Sequence, residues 1–244
     1  MLLRNITKHV KDQNWFAVGI DFFIVVVGVF IGIQVANWND ALKAKQSEKV
    51  YLHRMHEDIE FAQEFAEKTL SRRIQGFQSS LNMVKLMDGD DSELSDEYVD
   101  CDFPSSISIQ IDLPFLNTIG ELLEIGKINV LTDATLRNAV LELQNRSELL
   151  RRFQDQTSVQ IVNITDVFAD VIKLRTQIKQ DNEIRLHRQC NLKALHANNR
   201  YINAISLNID LTDAFINNRL IPWSEQIDEL HHLIDKSLQI SHGE

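Results

Sequence analysis

Residues 23–40 read FIVVVGVFIGIQVANWND, an apolar run with two glycines four apart that exits abruptly through Asn37, Trp38, Asn39 and Asp40. Asp21 alone interrupts the uncharged sequence back to Gln13. About 20 apolar residues cross the roughly 30 Å core of a bilayer, so the stretch from Trp15 to Trp38 is long enough to span one. Tryptophans at both ends suit the headgroup level, where an amphipathic ring is best accommodated. A cleaved signal peptide needs a small-residue site after the apolar region, and the exit Gln34-Val35-Ala36-Asn37-Trp38 offers none. A buried core helix needs apolar partners all round, yet the rest of the chain is patterned as amphipathic helices. The reading is a permanent single-pass transmembrane helix over residues 15–39, anchored at its interfaces by Trp15 and Trp38.

Within that helix Gly28, Gly32 and Ala36 form a small-xxx-small-xxx-small face, which lets helix backbones approach closely in lipid. Asp21 precedes Gly28 by seven residues, about two turns, so its carboxylate falls on nearly the same face. An ionisable group in a span faces a partner or a water path, or sits at the interface by a helix N-terminus. This face is therefore read as a packing surface for a second copy or a membrane-protein partner. Asp21 is the group that would work if the chain were an accessory subunit of a proton-coupled complex. A short tail, one span and a larger external domain is also the layout of proton-driven motor subunits of the MotB and ExbD families, a likeness of layout only.

Residues 1–14, MLLRNITKHVKDQN, put Leu2, Leu3, Ile6 and Val10 toward one side and Arg4, Lys8 and Lys11 toward the other. That spacing suits a short helix lying on anionic headgroups. Lys43, Lys45 and Lys49 follow the span, so the positive-inside count is near a tie. The short N-terminal tail is the more easily retained, which places the N-terminus in the cytoplasm and residues 41–244 outside. Such a tail leaves no room for a cytoplasmic output domain.

The 244 residues include only eight glycines and three prolines, and neither occurs between Lys127 and Ile221. So few breakers favour long helices, and the fold class is mainly α: a transmembrane helix followed by an elongated antiparallel helical bundle, residues 40–244. After Ala41 an apolar stripe steps by three and four through Leu52, Met55, Ile59, Ala62, Phe65 or Ala66, Leu70, Ile74, Phe77, Leu81 and Val84. Residues 88–115 break it as an acidic loop, with Ile107, Ile109 and Ile111 alternating like a short strand. A helix over about 115–125 closes at Gly126, and Thr132 or Asp133 caps a second long helix. That helix carries Leu136, Val140, Leu143, Leu150, Phe153, Ile161, Ile164, Phe168, Val171, Leu174 and Ile178, and is expected to pack antiparallel to the first. Residues 181–200 read as irregular. A last helical region over about 200–241 is divided or kinked by Pro222, with Leu211, Phe215, Ile227, Leu230, Ile234 and Leu238 inward.

The net charge of −10 argues against nucleic acid as a partner, because phosphate binding needs a basic surface. No P-loop, G-x-G-x-x-G, G-x-S-x-G or HExxH occurs, so no catalytic or cofactor-binding residue is assigned and no enzyme is expected. The acidic loop lacks the glycine and the final glutamate of a calcium loop. His53, His56 and Glu57 lie at metal-compatible spacing, with Glu229 and His232 as a second pair. Only one Glu-x-x-His match is present where a di-iron bundle needs two, so no metal is assigned either. A metal-binding or hydrolytic enzyme hidden in the helices is the third reading, and the sequence names no small-molecule ligand. Cys101 and Cys190, the only cysteines, could bridge the acidic loop to the 181–200 segment in an oxidising compartment.

Two stretches carry a family resemblance. GVFIGIQVANWND (28–40) resembles the signature of a bacterial membrane family, DUF6090, from its paired small residues to the closing Asn-Trp-Asn-acid. NTIGELLEIGKINVLTDATLRNAV (117–140) is similar to that family's later pattern at Glu121, Gly126, Asp133, Leu136 and Arg137. Together they cover about forty residues. The resemblance implies a bacterial single-pass protein with an N-terminal anchor, and implies no activity, substrate or cofactor. With the orientation read from the flanking charges, the chain is expected in the inner membrane with residues 41–244 periplasmic. The function expected is non-enzymatic: a helical periplasmic domain for protein–protein interaction or self-assembly.

Overall fold

The computed structural model describes residues 15–87, 94, 96–101, 109–178 and 184–240. The expected interfacial segment 1–14, half of the acidic loop and residues 107 and 108 of the expected short strand lie outside them. The described chain is mainly helical. It divides into two compact units, residues 1–51 and 52–244, and helix α1, Trp15–Met87, contributes to both.

In the first unit the described side chains of α1 from Gly19 to Val50 are exposed but for Glu48, the apolar run included. Among the described residues this is the one helix long and apolar enough to cross a membrane, with a mean hydropathy of 2.3 over its best 18-residue window, none of it buried. Trp38 is exposed, and a Cβ added at Gly28 or Gly32 would meet nothing within 4 Å.

In the second unit, residues 52–87 of α1 bury Leu52, Met55, Ile59, Ala62, Ala66, Thr69, Gly76, Ser80 and Met83. These follow a three–four repeat along one stripe. Past Ala66 the observed stripe departs from the expected one: Ile74 is exposed, and Thr69, Gly76 and Ser80 hold inward positions ahead of Met83. The chain then returns along α1. Arg73 donates to the carbonyl of Gln110, the Thr118 amide donates to Asp58 Oδ2 over 2.7 Å, and Arg54 pairs with Glu121 at 2.6 Å. Helix α2, Asn117–Glu124, ends this return, and Gly126 takes the left-handed φ of 66° that a side chain disfavours.

A short 3₁₀ turn, Ile128–Val130, leads to α3, Ala134–Ser158, which is N-capped by Asp133. The expectation that α3 runs antiparallel to α1 is corrected. Helix α7, Ile221–Leu238, pairs His56 with Asp235 and Gln63 with Asp228, so it opposes α1. Trp223 meets Ser147 while Lys236 acts on Asp133, so α7 opposes α3 as well. Helices α1 and α3 therefore run the same way. The reason is the return over residues 110–121, which brings the chain back beside Arg54 before α3 begins.

The second long helix is also shorter than expected. It ends at Ser158, and α4, Ile164–Val167, follows. Ile172–Ile178 is strand β2 and Ile184–Asn191 is strand β3. A third strand, β1, Tyr98–Asp100, lies inside the segment expected to be a loop. The sheet is antiparallel with order β1-β3-β2, and Val99 and Ile172 both stand opposite Cys190. Cys101 and Cys190 are joined by a disulfide, with their Cα atoms 5.7 Å apart. Both were expected in irregular segments, yet Cys190 sits in the central strand and Cys101 directly after β1. They are buried with Met83, Ile164, Phe168, Ile172, Leu195, Tyr201 and Ile205 in a core that joins the sheet to the end of α1 and to the last helices.

Those helices are α5, Leu192–His196, and α6, Asn199–Phe215, each capped by an asparagine side chain. A π turn, Ile216–Leu220, precedes α7. Pro222 falls in the first turn of α7, where a missing amide donor is tolerated.

Candidate functional site

Helices α1 and α7 lie side by side, and three groups with metal-ligating atoms converge between them. His56 comes from α1, and His231 and Asp235 stand one turn apart on α7. Their positions follow from the packing. Leu52, Met55 and Ile59 bury one stripe of α1, while Ile227, Leu230 and Ile234 bury one stripe of α7. His56, His231 and Asp235 flank those stripes. One potential ligand atom from each lies within 4.8 Å of the other two.

The individual distances are short. His56 Nε2 is 2.9 Å from Asp235 Oδ1 and 3.3 Å from His231 Nε2. His231 Nε2 is 3.7 Å from Asp235 Oδ2, and the imidazole rings are 5.0 Å apart and tilted by 55°. The other nitrogen of His56, Nδ1, faces Glu60 Oε2 at 3.6 Å. The three side chains are only 12–13% exposed. Two imidazole nitrogens that face each other beside a carboxylate can share a proton or hold a cation.

The sequence pointed to part of this. His56 is in the cluster, whereas His53 and Glu57 on the same helix are exposed. On α7 the expected pair, Glu229 and His232, is exposed too, and Glu229 accepts from Gln226 at 3.1 Å. The residues that converge are His231 and Asp235. Only the inward face of α7 could reveal that: Leu230 and Ile234 are buried, and each functional residue follows one of them directly.

Two other polar sites are less enclosed. Across β1 and β3, His187 Nε2 meets Asp100 Oδ1 at 2.7 Å and Gln189 donates to the same oxygen at 3.3 Å. Hydrogen bonding from Gln189, then from His187, holds the Asp100 carboxyl below the usual range. A groove of about 420 Å³ is lined by Phe65, Thr69, Arg72, Arg73, Gln110, Ile111 and Asp112. Burial lowers the pKa of the Arg73 guanidinium there, and neighbouring Arg72 adds to the effect. Asp21, Gly28, Gly32 and Ala36 are exposed along α1 in the first unit.

Comparison with protein-family models, curated proteins and solved structures found no match.

Proposed function

We propose that this chain is a non-enzymatic, single-pass membrane protein whose extramembrane domain engages a partner protein or a second copy of itself. The observation that carries the reading is the apolar run of α1: its best 18-residue window has a mean hydropathy of 2.3 and is wholly unburied. Exposing so large an apolar surface to water is unfavourable, whereas in lipid the same surface is solvated and the helix satisfies its own backbone. The Cys101–Cys190 disulfide supports placing residues 41–244 on the oxidising side, the periplasm of a bacterial inner membrane, because such bonds persist there and are rare in the cytosol. Membership of the DUF6090 family, proposed from residues 28–40 and 117–140, agrees with a single N-terminal anchor.

Alkaline carbonate extraction tests the anchor. The full chain stays in the membrane pellet, and deletion of residues 15–39 releases it; release of the intact chain would overturn the proposal. A C-terminal alkaline phosphatase fusion tests orientation, since it is active only outside the cytoplasm. The partner-binding face is tested by Gly28→Leu with Gly32→Leu, which lowers the oligomeric mass in detergent if Gly28, Gly32 and Ala36 pack helix on helix.

A further inference from the structure

We propose that His56, His231 and Asp235 form a binding site for a divalent transition-metal ion of the zinc class, clamping α1 to α7. Imidazole and carboxylate ligands bind Zn²⁺ at about 2.0–2.2 Å, and a tetrahedral arrangement then places neighbouring ligand atoms about 3.3 Å apart. The separation of the two Nε2 atoms is 3.3 Å, and each faces a different oxygen of Asp235, His56 at 2.9 Å from Oδ1 and His231 at 3.7 Å from Oδ2. The two imidazole nitrogens are thus already at the edge length of a zinc tetrahedron, and with one atom taken from each residue all three lie within 4.8 Å of one another, a spread that rotation of the Asp235 carboxylate closes.

The surroundings also fit. Metal-bound histidines direct their second nitrogen to a carboxylate or carbonyl, which fixes the tautomer and raises the basicity of the ligating nitrogen. His56 Nδ1 faces Glu60 Oε2 at 3.6 Å, and a shift of a few tenths of an ångström makes that hydrogen bond. The imidazoles bind through lone pairs, so any proton held between the two Nε2 atoms leaves to solvent when the ion enters. Each side chain keeps 12–13% exposure, enough for water to reach the remaining coordination position. Three protein ligands from two helices, with water as the fourth, make a site that ties the helices together when loaded. Two imidazoles and one carboxylate suit zinc, cobalt or nickel better than calcium or magnesium, which take oxygen ligands.

The test uses the full chain without an affinity tag, in detergent micelles, stripped with EDTA and titrated with Zn²⁺ against a chromophoric chelator. One equivalent per chain is expected to bind. His231→Ala and Asp235→Asn each weaken it about a hundredfold, and Glu60→Gln about tenfold. His53→Ala and His232→Ala leave it unchanged. Co²⁺ in place of zinc gives the strong visible absorption of a four-coordinate site, which His56→Gln removes. Circular dichroism at 222 nm shows which variants remain folded, and Asp235→Asn, close in volume, serves if a histidine variant unfolds. Absence of a one-equivalent site, or zinc binding that survives His231→Ala and Asp235→Asn in folded protein, overturns the proposal. So does binding lost with His53→Ala or His232→Ala.

Discussion

The indole nitrogen of Trp223 donates to Ser147 Oγ over 3.0 Å, and the same hydroxyl donates to the carbonyl of Leu143 over 2.8 Å. Trp223 is 1% exposed and Ser147 4%, so this chain of hydrogen bonds is closed to water. Phe65 of α1 meets the indole edge-on at 6.5 Å, so one tryptophan ties together α1, α3 and α7. Ser147→Ala leaves the buried N–H without an acceptor and is expected to cost about 1–3 kcal/mol. Combining it with Trp223→Phe removes the donor too, so the double variant loses less than the sum of the single ones. Urea unfolding followed by circular dichroism measures this, and strict additivity would rule out the coupling.

Asn208 holds the turn after α3 from α6. The Val162 amide donates to Asn208 Oδ1 at 2.9 Å, and Asn208 Nδ2 donates back to the Val162 carbonyl at 2.8 Å. The asparagine is fully buried, so water replaces neither bond. Asn208→Ala is expected to cost about 1–3 kcal/mol for each backbone group left unpaired. Asn208→Asp is worse at neutral pH, because a carboxylate oxygen then faces the Val162 carbonyl and its charge is buried. Equal stability of the two variants in urea would sink this account.

Much of the fold was legible where residue chemistry and burial coincide. Asp133 reads as a helix cap, Gly126 as a helix stop and Leu136–Leu150 as an inward stripe, and the structure has all three. Legibility fails in the second half of α1, where Thr69, Gly76 and Ser80 hold buried positions and Ile74 points to water. Small residues can line a close helix contact, and Ser80 is tolerated because its hydroxyl donates to its own helix at the Gly76 carbonyl, 3.1 Å away. A hydrophobicity pattern cannot register such positions.

The sheet was missed for a different reason. Ile172, Leu174, Thr176 and Ile178 alternate with polar residues as a strand does, but Ile164, Phe168, Val171, Leu174 and Ile178 also step by three and four. With no glycine or proline from Lys127 to Ile221, local sequence gives no reason to end the helix at Ser158. What decides is non-local: β3 pairs with β2, β1 arrives from 89 residues away, and the disulfide is buried between them. On α7 the pair Glu229 and His232, weighed from sequence, gives way to His231 and Asp235 for a related cause, since whether His231 or His232 faces α1 depends on which stripe of α7 is buried.

The Cys101–Cys190 bond closes a loop across a sequence separation of 89, which removes much freedom from the unfolded chain. Cys101→Ser with Cys190→Ser is expected to lower stability by about 2–4 kcal/mol. The loss should be concentrated in the core that holds Phe168, Tyr201 and Ile205. Hydrogen exchange should therefore speed up in β2, β3 and α6 more than in α3 and α7. Uniform acceleration through all helices would show that the bond does not act through this core.

Acid stability isolates the cap of α3. The Thr135 amide donates to Asp133 Oδ1 at 2.7 Å, and this bond, first among several, holds the carboxyl below its ordinary value of 3.8. Because the folded pKa is the lower one, the carboxylate's contribution is complete above about pH 4. It is lost as pH falls through the folded value. Asparagine caps about as well as aspartate and does not titrate. Asp133→Asn is therefore expected to match the parent in Tm at pH 6 and to lose less between pH 5 and pH 3. Asp133→Ala lies below both at pH 6. Other carboxylates titrate equally in all three proteins, so the difference between the parent and Asp133→Asn reports the cap alone. Parallel Tm profiles for those two down to pH 3 would show that the depressed carboxyl contributes nothing to folding.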